Sequence, residues 1–94
     1  MKQRTSQFDP LRENPEKVAQ IMRNVTQALN EKGYNTVDQI VGYLMSGEPV
    51  YITSHNGARA AISRIDRHEI LEQMVKLYIE HIMASSDMRE EEEE

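Results

Sequence analysis

The chain has 94 residues, 11 Lys and Arg against 16 Asp and Glu, a net charge of −5, and no cysteine. That length suits one small domain with a modest core. The lack of cysteine excludes disulfides, thiol catalysis and cysteine-based zinc sites. No apolar run approaches the ~20 residues a bilayer span needs, and the polar start Met1-Lys-Gln-Arg-Thr-Ser-Gln-Phe8 lacks the apolar core of a secretion signal, so the expected location is the cytoplasm.

Residues 1–13 are polar, with Phe8 the one bulky anchor and Pro10 breaking any periodic pattern, and they read as a flexible N-terminal arm. A helical domain is expected over residues 14–84. Asn14 and Pro15 make a side-chain cap followed by a first-turn proline, and Glu16 sits at the positive end of the helix dipole. Val18, Ile21, Met22, Val25, Ala28 and Leu29 follow at three- and four-residue steps, a stripe suited to a helix lying on a core. That helix should end near Lys32, just before Gly33.

A second helix is expected over 37–46. Thr36 with Gln39 reads as a capping box, and Val37, Ile40, Val41, Leu44 and Met45 read as its apolar stripe. Gly42 lies inside it, opposite the stripe, at a cost of up to ~1 kcal/mol relative to Ala. Either something approaches closely there, or the backbone bends, or the glycine is merely tolerated. Gly47 and Pro49 close the helix. Residues 49–52 read as an extended connector whose apolar side chains tuck against the body.

Ser54, Asn56 and Gly57 mark another turn, after which 58–65 reads as a short helix rich in Ala and Arg. Asp66 with Glu69 opens the last helix, expected to stop near Ala84. Its apolar residues cover roughly 240° of the wheel and leave only Glu69, Glu72, Gln73, Lys76 and Glu80 as a polar strip. Three short helices can hardly cover so broad a face. Self-association is therefore expected, as a two-fold homodimer, the rival being a central helix in a compact monomer. Glu90 to Glu94 form an acidic run, read with the rest of 85–94 as a disordered tail, and the remaining acids balance the bases. With no alternating strand pattern, the fold class is all-α, a compact domain of four to five helices.

Little of the chain reads as reaction chemistry. His55, His68 and His81 have none of the HxxxH, HExxH or HxH spacings of a metal site. Glu69 and Glu72 share the expected solvent strip, Ser46-Gly47 is a helix terminus, and no glycine-rich loop precedes a phosphate-binding lysine. No enzyme, cofactor or metal is expected. Arg59, Arg64 and Arg67, near His55 and His68, form the one basic region. Forked guanidinium donors suit carboxylates and phosphates, so these three are candidate partner contacts, against a role in surface solubility. Two short helices joined by a tight turn also suggest a helix-turn-helix, yet a charge-balanced body with an acidic end suits duplex DNA poorly.

The stretches Glu31-Lys-Gly-Tyr-Asn35 and Gln39-Ile-Val-Gly-Tyr-Leu-Met-Ser-Gly-Glu-Pro-Val-Tyr-Ile52, continued by His55-x-x-Ala58-Arg59 and Arg67-His-Glu-Ile-Leu-Glu72, closely resemble the IreB family of regulatory phosphoproteins, including its ReoM and YrzL-like members. The resemblance covers about residues 5–82. It implies a helical homodimer of the Gram-positive cytoplasm and a substrate of the membrane Ser/Thr kinase with extracellular PASTA domains. It also implies a link to cell-wall synthesis and antibiotic tolerance, in part through Clp-dependent breakdown of an early peptidoglycan-pathway enzyme. The family's phosphoacceptor is a Thr three residues before a Phe. Thr5-Ser-Gln-Phe8 has that spacing, so the resemblance assigns the role to Thr5, with Ser6 the neighbouring alternative. Three features depart from the family pattern. Tyr51-Ile-Thr-Ser-His55 stands where relatives commonly carry Tyr-Ile-Pro-Arg-His, Ser63 occupies an often-basic position, and an acidic pair common before the first helix is absent. The basic contact surface is correspondingly thinner. The expected function is a non-enzymatic regulatory phosphoprotein. The alternatives are an adaptor acting on a Clp client and, more remotely, a small DNA-binding regulator.

Overall fold

Proline's fixed φ suits the first turn of a helix, and Pro15 opens helix α1 (Pro15–Glu31) in the computed structural model, which describes residues 15–93 and side chains to Ser85. The expected cap Asn14, the arm with Thr5 and Ser6, and the side chains of the acidic run lie outside the described residues. The whole expected stripe faces inward, with Val18, Val25, Ala28 and Leu29 buried and Ile21 and Met22 packed against them. At its end the Tyr34 N–H donates to the Leu29 carbonyl and the Gly33 N–H to Asn30, a turn that reverses the chain.

Helix α2 (Thr36–Ser46) starts one residue from where a capping box would place it. The cap is Asn35, whose side chain accepts the Asp38 N–H at 3.0 Å. Asn is the stronger cap, and Gln39, the other half of the expected box, instead donates to the Tyr51 carbonyl at 2.8 Å. Gly42 is a site of close approach, as one of its three readings required. A Cβ built there would lie 2.5 Å from the Tyr51 ring, so the missing side chain makes room for the aromatic. The helix ends at Gly47, left-handed at φ 79°, whose N–H donates to Tyr43. Ser46 reinforces the stop, donating its hydroxyl to the Gly42 carbonyl and accepting the Glu48 N–H.

The connector is not extended. Proline's fixed φ also starts a 3-10 turn, Pro49–Tyr51, and only part of the segment tucks inward. Ile52 is fully buried, while Val50 is 71 % exposed. A second 3-10 turn, His55–Gly57, with Asn56 and Gly57 both at positive φ, leads into helix α3 (Ala58–Ser63).

Helix α4 (Arg67–Glu93) is opened by Asp66, whose carboxylate accepts the His68 N–H and whose carbonyl accepts the Glu69 N–H. Glu69 corrects the expected solvent strip: it is only 5 % exposed. A residue three places after a cap folds back over the first helical turn, where the unsatisfied N–H groups and the dipole favour a carboxylate. The backbone stays helical past Ala84. The apolar pattern fades there, but the Met, Arg and Glu residues that follow are good helix formers and neither Gly nor Pro interrupts them.

The described residues are all helical, with no strand. The core lies where α1, α2, α3 and the first turn of α4 meet, around Val25, Leu29, Ile52, Ile62 and Ile70. Twenty-seven residues make α4 about 40 Å long, more than the small body can flank.

Candidate functional site

The three arginines differ in how far the fold uses them. Arg67, at the start of α4, donates from an Nη to the Leu44 carbonyl at 2.8 Å, and its guanidinium lies over Gly47. It thereby satisfies a carbonyl that the end of α2 leaves without an intrahelical partner. Arg59, on α3, donates its Nε to the Ile52 carbonyl at 2.8 Å and anchors the connector. Arg64, the residue after Arg59's own helix ends, is exposed, and its backbone N–H completes the last turn of α3. Arg59 and Arg67 are thus positioned by structural bonds made with part of each guanidinium, and Arg64 is the freest of the three. His55 Nε2 lies 2.8 Å from Glu31 Oε1 and ties the second 3-10 turn to the end of α1. The Asn24 side-chain amide donates to the Asn56 carbonyl in the same region.

A second kind of surface is apolar. On α4, Leu71, Val75, Tyr78, Ile79 and Ile82 all keep a large part of their surface exposed. At ~100° per residue they form one stripe, about a third of a turn round from Ile70, which is buried in the core, and Met74, which packs against it, while Leu77 on that side is itself exposed. The expectation that three short helices would leave α4 partly uncovered agrees with this exposure. A continuous apolar face of this kind marks an interaction site.

Helix α2 holds a further ridge that periodicity alone misplaced. Ile40 and Leu44 are buried as expected, but the third buried side chain is Tyr43. Val37, Val41 and Met45 are exposed, Met45 by 79 %. The legible signal was the triplet Ile40, Tyr43 and Leu44 at helical spacing. Counting tyrosine as a core residue rotates the buried face onto it and turns Val37, Val41 and Met45 outward.

Among the described residues no group of three His, Asp or Glu side chains could hold a metal ion. No helix among them is long and apolar enough to cross a membrane. The described surface offers helix ends, arginines and apolar stripes, the features of a protein that works by contact. The family model described as "IreB regulatory phosphoprotein" matches residues 3–80, and the chain belongs to that family.

Proposed function

We propose that the chain is a non-enzymatic, homodimeric regulatory phosphoprotein of the cytoplasm, modified on Thr5 by a PASTA-domain Ser/Thr kinase and linking that kinase to control of cell-wall synthesis. The observation that carries this reading is the family match over residues 3–80, which takes in Thr5-Ser-Gln-Phe8 as well as the helical body. The apolar stripe of α4 supports the pairing of two copies, because a two-fold axis lets one stripe bury itself against its own duplicate. A phosphate on Thr5 adds about −1.5 to −2 charges and three acceptor oxygens, enough to change what an arm contacts without any change in the folded body.

Incubating the protein with the kinase's catalytic domain and ATP, then mapping phosphate by mass spectrometry, tests the assignment. Phosphate is expected on Thr5 in the wild type and absent from that position in Thr5→Ala. Modification confined to residues 15–93, or none at all, contradicts it.

One observation favours a second reading, an adaptor that presents a client for Clp-dependent breakdown. Arg64 lies exposed at the end of α3, flanked in sequence by two arginines that the fold holds in place. Such an arrangement suits an acidic partner surface, with phosphorylation acting as a modulator.

A further inference from the structure

Helices α1 and α4 leave a groove between them that the core does not fill. It measures about 330 Å³, with buried Ile40 and Ile70 at its base and Val18, Met22, Met74 and Leu77 among its walls. Its polar side chains are few, Thr26 and Gln73. On α4 the groove lies along the side of Ile70 and Met74, about a third of a turn from the stripe of Leu71, Val75 and Ile79 that suits a second copy, and exposed Leu77 stands at its far end. Pro15, the first described residue, is itself part of the lining. The N-terminal segment therefore joins the body at the rim of an apolar cavity.

We propose that the side chain of Phe8 seats in this groove, so that residues 1–14 fold back across α1 and α4. Phe8 is the chain's single phenylalanine and stands seven residues before Pro15. Seven residues reach at most about 25 Å, enough to bring the ring over any part of a groove whose edge is Pro15. A short tether also holds the ring at an effective concentration of about millimolar, which a free peptide or loosely associating second copy does not match. The cavity has room for an aromatic ring and an almost wholly apolar wall to receive it.

Thr5 lies three residues farther out, about 10 Å of chain at full extension, so a seated Phe8 leaves the hydroxyl outside the groove. A phosphate there would draw the segment toward water and away from an apolar surface beside exposed Glu16. This coupling rests on Thr5 being the phosphoacceptor; the seat itself does not.

The test uses the full-length, unphosphorylated protein with its methionine methyl groups labelled for NMR. Met22 and Met74 wall the groove, so their methyl resonances report a ring placed against them. Both are expected to be displaced in the wild type and to relax together in Phe8→Ala at the same protein concentration. Resonances identical in the two proteins overturn the proposal. A displacement that survives Phe8→Ala and fades on dilution also overturns it, by assigning the groove to a second copy. Because no phosphate is involved, failure of this test is separate from failure of the kinase assignment.

Discussion

Ile52→Ala is expected to lower the stability of the domain by about 2–5 kcal/mol, while Val50→Ala, two residues away, changes it by less than about 0.5 kcal/mol. Ile52 is fully buried although it belongs to no helix, and its carbonyl receives the Arg59 Nε–H. Removing three carbons from a site fixed on both sides leaves a cavity that the neighbours cannot close. Small domains have only about 5–15 kcal/mol in total, so the loss should bring the denaturant midpoint down sharply and the Tm by at least about 10 °C. Val50, 71 % exposed, has little to lose. Urea titration of the two variants beside the wild type makes the measurement. Equal effects would mean that the connector packs in some other way than the 3-10 turn dictates.

On the proposed two-fold pairing, the double variant Val75→Asp/Ile79→Asp is expected to be a folded monomer under conditions where the wild type is a dimer. Both residues belong to the unpartnered stripe of α4, 52 % and 49 % exposed in the single chain, so the body should tolerate carboxylates there. At a two-fold interface the same changes put four carboxylates into an apolar contact. Each has to be desolvated without a partner, and like charges face each other across the axis. At 1.4 kcal/mol per tenfold, a loss of a few kcal/mol weakens association by at least about a hundredfold. Sedimentation velocity at micromolar concentration should show one light species with helical circular dichroism retained. Thermal unfolding should become independent of protein concentration, because pairing no longer adds to the stability of the fold. A wild type that is itself monomeric would contradict the pairing, and a variant that stays dimeric would place the interface elsewhere, with the ridge of Val37, Val41 and Met45 the next surface to alter.

The elements of this fold were legible because their ends carry strong local chemistry. Pro15, Gly33 and Gly47 mark boundaries through backbone geometry alone, and the stripe of α1 is unambiguous at helical spacing. The errors arose where two residues competed for one role. Asn35 and Thr36 are both good caps, and the outcome depended on Gln39 being drawn to the Tyr51 carbonyl, a contact across 12 positions that no local pattern announces. The stripe read from Val37, Ile40, Val41, Leu44 and Met45 leaves out Tyr43, and its burial beside Ile40 and Leu44 shifts the inward face of α2. Glu69 was placed in solvent because the wheel treats every acid alike, whereas the first turn of a helix accepts a buried carboxylate. Gly42 left three readings open in the sequence, and only the folded chain selects close approach, by the Tyr51 ring. The arginines were identified as a group, and local spacing gave no sign that Arg59 and Arg67 each hold a distant carbonyl. The phosphoacceptor came from family resemblance and not from packing, since a modification site is chosen by another protein.

The central claim is that a mark on Thr5 changes what an otherwise constant helical body binds. Affinity purification from the native cell, with Thr5 intact, replaced by Ala and replaced by Glu, measures this most directly. The account predicts that Thr5→Ala and Thr5→Glu retain the same oligomeric state and helical content but recover different sets of partners. Identical partners for all three proteins, under conditions where the wild type carries phosphate, would contradict it.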